Sequence, residues 1–207
     1  RVLRASWMLA AALALGPCLG DEAAAQYFGQ NKARYRTFDF QVLRTEHFDI
    51  HFYEEKRAAA VEAGRMAERW YARLSAVLGH QLSSRQALVL YGSGADFRAT
   101  TVVPEYIGET TGGLTEGFQR RIVMPLGASL ADTDHVLGHE LVHAFQFDIE
   151  ADGPGGVLRL PLWFIEGMAE YLSVGPASPM TAMWLRDAVV REKLPTVAEL
   201  DNPRYFP

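Results

Sequence analysis

His139-Glu140-Leu141-Val142-His143 places two imidazoles four residues apart in a segment with helical spacing. On a helix, residues four apart project from one face, close enough to share an ion. Glu140 follows the first histidine directly, so its carboxylate sits beside that face rather than behind it. Two metal-binding imidazoles with a neighbouring carboxylate to handle a water proton suit zinc-dependent hydrolysis. Such a site also needs a third protein ligand and an open fourth position. A chain with this helix must therefore bring a donor to it from another element.

Residues 162–174 supply the candidates. Leu162, Trp163, Phe164, Ile165, Met168, Ala169, Tyr171 and Leu172 make this predicted helix apolar nearly all round, which is the pattern of a buried helix. Glu166 and Glu170 lie four apart on it, and a buried carboxylate needs a cation or donors nearby. An ion held by His139 and His143 would provide that charge. Gly167, beside Glu166, and Gly138, before His139, are expected to admit a close neighbour, at about 1 kcal/mol each in helix propensity. On spacing alone either glutamate can serve as ligand. His135, four residues before His139, offers an alternative histidine pair or a supporting role near the helix start.

The remaining pattern is strands first and helices later, an α+β order. Phe38–Leu43 and His47–Tyr53 alternate apolar with polar and read as a hairpin through Arg44-Thr45-Glu46. Lys56–Leu78 has helical spacing and is closed by Gly79. Ala87–Tyr91 reads as a buried strand and Arg121–Pro125 as another, while the Gly- and Thr-rich stretch 95–118 gives no clear period. Arg121–Met124, just before the motif helix, is the strand expected at a sheet edge above the metal. There it would hold extended substrate by β-augmentation, or be an edge merely covered by a loop. The motif helix is expected over Thr133–Phe147, with Asp132 and Asp134 at its start, where carboxylates are favoured. Helices at Leu162–Val174, closed by Gly175-Pro176, and at Pro179–Lys193 follow. Trp70, Tyr71, Trp163 and Trp184 read most simply as core, and His47, His51 and His80 as structural or solvated.

Of the 207 residues, 49% are hydrophobic and 22% charged, ordinary for a globular domain, and the net charge is -5. With no basic block, nucleic acid is a poor partner. Residues 1–25 differ from the rest. Arg1 and Arg4 precede an apolar run, and Ala23-Ala24-Ala25 follows, which describes a secretory signal peptide cleaved before Gln26. The run is too short for a membrane span of about 20 residues, so no transmembrane span is expected in the mature chain. Cys18 raises the alternative of a lipid anchor, although Pro17 before it fits that processing poorly. Release of Cys18 with the leader would leave the mature chain without a disulfide. Pro195–Leu200 resembles the opening of another helical unit, and the natural protein is expected to continue past Pro207.

His139-Glu140-Leu141-Val142-His143, followed by Pro161-Leu162-Trp163-Phe164-Ile165-Glu166-Gly167-Met168-Ala169-Glu170-Tyr171, resembles the gluzincin metallopeptidases. The second element of that clan has the form W-x-x-E-G-x-A, with its glutamate as third zinc ligand. Among these, the bacterial peptidase MA-like proteins are the most similar. Gln26-Tyr27-Phe28-Gly29-Gln30-Asn31-Lys32 and Thr45-Glu46-His47-Phe48-Asp49 are similar to their mature N-termini. The resemblance covers 26–207. It implies a thermolysin-like zincin domain, with an N-terminal mixed sheet, an edge strand over the active-site helix, and helices after it. It implies Zn2+ on His139, His143 and Glu166, with Glu140 as general base; Glu170 is then left to orient a ligating histidine through its free N–H. It also implies an exported, periplasmic or extracellular peptidase acting on peptides or proteins, often followed by a TolB-type β-propeller. The clan usually adds a tyrosine or histidine that stabilises the oxyanion, from helices after the glutamate. No residue here matches that element by position; Tyr205 is the only late tyrosine, at a short spacing. A catalytically silent zinc domain, acting as an envelope adaptor, is the competing function.

Overall fold

Phe40–Arg44 (β1) and Phe48–Tyr53 (β2) form an antiparallel pair, with Phe40 opposite Tyr53 and Leu43 opposite Ile50. Thr45 fixes the link: its N–H donates to the Phe48 carbonyl at 2.9 Å, and its hydroxyl accepts from the Phe48 N–H at 3.2 Å. Arg57–Leu78 (α1) follows and stops at Gly79, whose φ of 62° suits a residue without Cβ. Gln86–Tyr91 (β3), Gly94–Arg98 (α2), Leu114–Glu116 (β4) and Arg121–Pro125 (β5) come next. The rest is helical: Leu130–Asp152 (α3), Leu162–Val174 (α4) and Pro179–Val190 (α5). This computed structural model describes residues 37–103, 107–152 and 160–202. The expected signal peptide with Cys18, its expected boundary at Gln26, and Tyr205 lie outside the described residues.

The sheet order is β1-β2-β3-β5-β4. β2, β3 and β5 are parallel, and both outer strands are antiparallel to their neighbours. The architecture is thus a mixed sheet followed by helices, compatible with the α+β expectation. Period-two alternation gives the strands two apolar faces. One carries Phe48, Ile50, Leu88, Leu90, Ile122 and Met124, packed against Met66, Trp70 and Leu74 of α1 and Leu137, Leu141 and Phe145 of α3. The other carries Val89, Tyr91 and Val123 under Phe97, Val103 and Ile107. Leu141 and Phe145 are fully buried, each contributing about 1.5–3 kcal/mol of burial. They fix the back of α3 in the core, so its opposite face is presented rigidly.

Four expectations are corrected. β5 is an interior strand between β3 and β4, so the edge beside α3 is Leu114–Glu116 and not Arg121–Met124. That edge lies in the stretch 95–118, too short to show a period. Second, α4 is not buried: Ala169 alone is, while Leu162, Phe164 and Tyr171 are exposed. An all-round apolar surface says what a helix can bury, not how many of its sides are covered. α4 packs on α3 along one side only, and Gly167 has no neighbouring atom within 4 Å of a Cβ placed there. Third, Trp184 is 64% exposed on α5, which buries no residue. Trp163 is partly buried and spends its indole N–H on Asp201, at 2.8 Å. Fourth, a Cβ at Gly138 would come within 2.7 Å of the Trp70 ring. The close neighbour is an indole of α1, whose N–H donates to Asp134, and not another backbone.

α3 also starts earlier and ends later than its periodicity indicates. Ser129 and Asp132 cap it reciprocally: the Ser129 N–H donates to the Asp132 carboxylate at 3.0 Å and the Asp132 N–H to the Ser129 hydroxyl at 3.1 Å. Near the other end, buried Asp148 accepts from the Ser83 N–H and hydroxyl at 2.9 and 2.7 Å. It pairs with His80 and Arg120, each at 2.8 Å. This ties α3 to the loop after α1 and to the β4–β5 turn. Among the described residues no helix is long and apolar enough to cross a membrane.

Burial opposes ionisation of Asp148. The bonds from Ser83 and His80 and the charge of Arg120 outweigh it, holding its pKa below the usual value. A depressed folded pKa means stability that is present above the unfolded value of about 3.9 and lost as pH falls through the folded one. Asp148→Asn is therefore expected to cost roughly 2 kcal/mol at pH 7, the scale of hydrogen bonds to a charged group. The gap to wild type should narrow once the pH drops below about 3.9. Urea unfolding at both pH values checks this; an equal gap at both would contradict it.

Candidate metal centre

His139 and His143 project from the exposed face of α3, and α4 crosses in front of them carrying Glu166. The His139 Nε2 lies 3.2 Å from Glu166 Oε2, the His143 Nε2 lies 3.3 Å from the same oxygen, and the two Nε2 atoms are 3.2 Å apart. The three donor atoms thus form a near-equilateral triangle. Ligands about 2.0–2.1 Å from a tetrahedral zinc stand about 3.3–3.4 Å from one another, so the triangle has the size such an ion needs. His139, His143 and Glu166 are one of two groups of described side chains that could hold a metal ion.

The second group is His135, His139 and Glu170. Glu170 Oε2 lies 3.0 Å from His135 Nε2 and 3.4 Å from His139 Nδ1. It uses the other nitrogen of His139, so it supports the first group rather than competing with it. A carboxylate at Nδ1 keeps the proton there and leaves the Nε2 lone pair pointing at Glu166 and His143. The side chains differ in access: His143 and His139 are 12% and 23% exposed, His135 and Glu170 43% and 45%. The inner group is the better-enclosed site, and the outer pair forms its lip.

His143 has an equivalent support. Its Nδ1–H donates to the Gln146 Oε1 at 2.8 Å, and the Gln146 amide donates onward to the Ile165 carbonyl at 3.1 Å. One buried side chain therefore orients a ligand on α3 and ties it to the residue before Glu166 on α4. Sequence reasoning did not single out Gln146. The available signal was its place one turn after His143 on the same helix face. Thr115 was also missed. Its hydroxyl donates to Glu140 Oε2 at 2.6 Å and lies 3.0 Å from the Glu140 carbonyl. A Cβ at Gly113 would come within 2.7 Å of Glu140 Oε1, so the backbone leading into β4 runs directly across that carboxylate.

The charges are shaped by these contacts. When the His139 and His143 rings carry a proton on Nε2, their hydrogen bonds hold Glu166 down to a pKa of about 2. Burial opposes the charged form of His143, but Glu166 and Gln146 outweigh it and raise its pKa. Burial pushes Glu140 up, against the bond from Thr115 and the charges of His143 and His139. The site opens into a cleft of about 570 Å³ between β4 and the α3–α4 pair, with Val136, Phe147 and Leu162 among its apolar walls.

No family model matches the chain, and no curated protein matches it.

Two outcomes follow. Gln146→Leu is expected to weaken metal binding about 10- to 100-fold with the fold intact, as loss of an orienting partner does. Competition with a chromophoric chelator measures it, and unchanged affinity would contradict the role. Protons compete with metal for His143, whose raised pKa makes the charged ring persist upward in pH. Metal affinity should therefore begin to fall on acidification from above about pH 6.5, the ordinary imidazole value. The same titration run from pH 8 to 5 tests this, and a flat response down to pH 6 would contradict it.

Proposed function

We propose that the chain is a zinc-dependent metallopeptidase of the gluzincin type, with a thermolysin-like catalytic domain over residues 26–207. The observation that carries this is the triangle of His139 Nε2, His143 Nε2 and Glu166 Oε2, with sides of 3.2, 3.3 and 3.2 Å. Two imidazoles and one carboxylate, open to a cleft, are the donor set of a catalytic rather than a structural zinc site. His139, His143 and Glu166 would hold the ion. When bound, zinc would polarise a scissile carbonyl and acidify a water.

The chain's own residues do the rest. Glu140 stands beside the ligands without belonging to their triangle, which leaves its carboxylate to take a proton from water. Burial raises its pKa, which favours taking up that proton before it is passed to the leaving amine. Thr115 holds the Glu140 carboxylate in one orientation through Oε2. Glu170 and Gln146 hold the two imidazoles with Nε2 toward the ion. β4 is last in the sheet order, with no strand on its outer side among the described residues, and Gly112 to Thr115 line the cleft. An extended peptide can add to that edge and lie across Glu140. The basic start and the Ala23-Ala24-Ala25 ending add export to the proposal, with Gln26 as mature N-terminus. Mass spectrometry of the secreted chain tests that, and an acylated Cys18 would replace it with a lipid anchor.

One observation favours a second reading, a zinc-binding adaptor without turnover. Neither a tyrosine nor a histidine from beyond Glu166 lines the cleft among the described residues, so the expected oxyanion donor is not among them.

Glu140→Gln separates the two. The variant is expected to keep one zinc per chain and lose peptide hydrolysis by a factor of about 100 or more, the usual weight of a general base. Elemental analysis and a casein or peptide-library assay with and without chelator give the readouts. Equal turnover in the zinc-loaded variant would remove Glu140 as base; no turnover in either protein would favour the adaptor.

A further inference from the structure

The direction of a bound peptide follows from how β4 lies on α3. A Cβ at Gly112 would meet Val136 at 3.3 Å, Gly113 and Thr115 meet Glu140, and a Cβ at Gly117 would meet Phe147 at 2.8 Å. The strand and the helix therefore run in the same sense along the cleft. Antiparallel pairing is the more stable way to add a strand. A peptide joined so to the free edge of β4 would have its C-terminal part over Val136 and its N-terminal part over Phe147 and beyond.

The charges lining the cleft are one-sided. Four glutamates border it and no lysine or arginine does, among the described residues. Three of the four are engaged: Glu140 by Thr115, Glu166 by His139 and His143, and Glu170 by His135 and His139. Glu150 is the exception. It lines the cleft wall half-buried, and no hydrogen bond or ion pair joins it to another described residue. It stands seven residues after His143 on the same face of α3. At about 1.5 Å of rise per residue that is about 10 Å along the helix, the span of about three residues of extended peptide.

We propose that Glu150 is a specificity residue, selecting substrates that carry an amino or guanidinium cation two or three positions on the N-terminal side of the bond to be cut. The inference rests on the peptidase reading for what the cleft does, and on the cleft alone for what it binds. Among the described lining residues no lysine or arginine is present to receive a terminal carboxylate. The cation can come from a lysine or arginine side chain or from a free α-amino group. The first source makes the chain an endopeptidase with a basic preference. The second makes it a peptidase that removes two or three residues from an N-terminus.

The test measures binding separately from turnover. Zinc-loaded Glu140→Gln protein is titrated by fluorescence anisotropy with labelled peptides in two arms. One arm is N-acetylated, with a single lysine moved along an otherwise neutral sequence; the other has no lysine or arginine and a free N-terminus. In at least one arm, the cationic peptide is expected to bind about fivefold tighter than its neutral or acetylated counterpart, the upper range of a partly exposed ion pair. The preference should shrink as salt is raised and vanish when Glu150→Gln is added. Adding Glu150→Lys in place of Glu150→Gln should reverse it toward an aspartate-containing peptide. Cleavage of the same peptides by the wild-type protein, located by mass spectrometry, places the cation relative to the cut. Equal binding of all peptides, or a preference that survives Glu150→Gln, overturns the assignment. A cation preferred on the C-terminal side of the cut overturns it as well. Cation-selective binding without cleavage by wild type would leave Glu150 in its role and remove the peptidase reading instead.

Discussion

A single carboxylate oxygen placed about equally far from two imidazole nitrogens organises the C-terminal half of this protein. Glu166 reaches His139 and His143 at 3.2 and 3.3 Å only because α4 crosses the exposed side of α3 at close range. Held that near, two rings and a carboxylate impose a demand that packing alone does not meet. Their donor atoms must be aimed, their tautomers must be set, and the helices carrying them must not drift. Each of these conditions has an identifiable side chain behind it.

Aim comes from outside the triangle. Glu170 and Gln146 bind the far nitrogens of the two rings, and Gln146 also grips the α4 backbone at Ile165. Rigidity comes from the core. α3 buries Leu137, Leu141 and Phe145 against the sheet, Gly138 lets Trp70 of α1 lie flush against it, and Asp148 anchors its far end through Ser83, His80 and Arg120. The same helix is thus a core element on one side and a ligand array on the other. Glu140 sits where the two meet: buried, yet bonded to Thr115 of the edge strand. The less tightly bound parts lie further out. α4 leaves Phe164 and Tyr171 exposed, and α5 leaves Met180, Met183 and Trp184 exposed, so the tight packing ends one layer beyond the site.

Much of this was legible in the chain because it depends on local period. Helical spacing put His139 and His143 on one face, the same spacing put Glu166 and Glu170 on one face, alternation marked β1 and β2, and a short apolar run marked β3. Gly79 and Gly175 closed their helices where a residue without Cβ is at an advantage. What period cannot report is which strand ends up outermost. Arg121–Pro125 has the stronger strand pattern, yet the three residues Leu114–Glu116 form the edge, placed there by pairing with β5 and by Thr115 meeting Glu140. Nor does an apolar circumference say how much of a helix is covered, which is why α4 looked like a core helix and is not one. Gln146 and Thr115 were invisible for a related reason: a polar residue gains its role from a partner far away in sequence.

X-ray absorption at the zinc edge on purified, zinc-loaded protein tests the central claim most directly. The account predicts a four-coordinate ion with scatterers at about 2.0–2.1 Å and the outer-shell signature of two imidazoles, with the remaining donors oxygen. In Glu166→Ala the two-imidazole signature should persist while the oxygen shell changes. A spectrum showing one imidazole or none, or one that Glu166→Ala leaves unaltered, would contradict the proposal that the ion sits between α3 and α4.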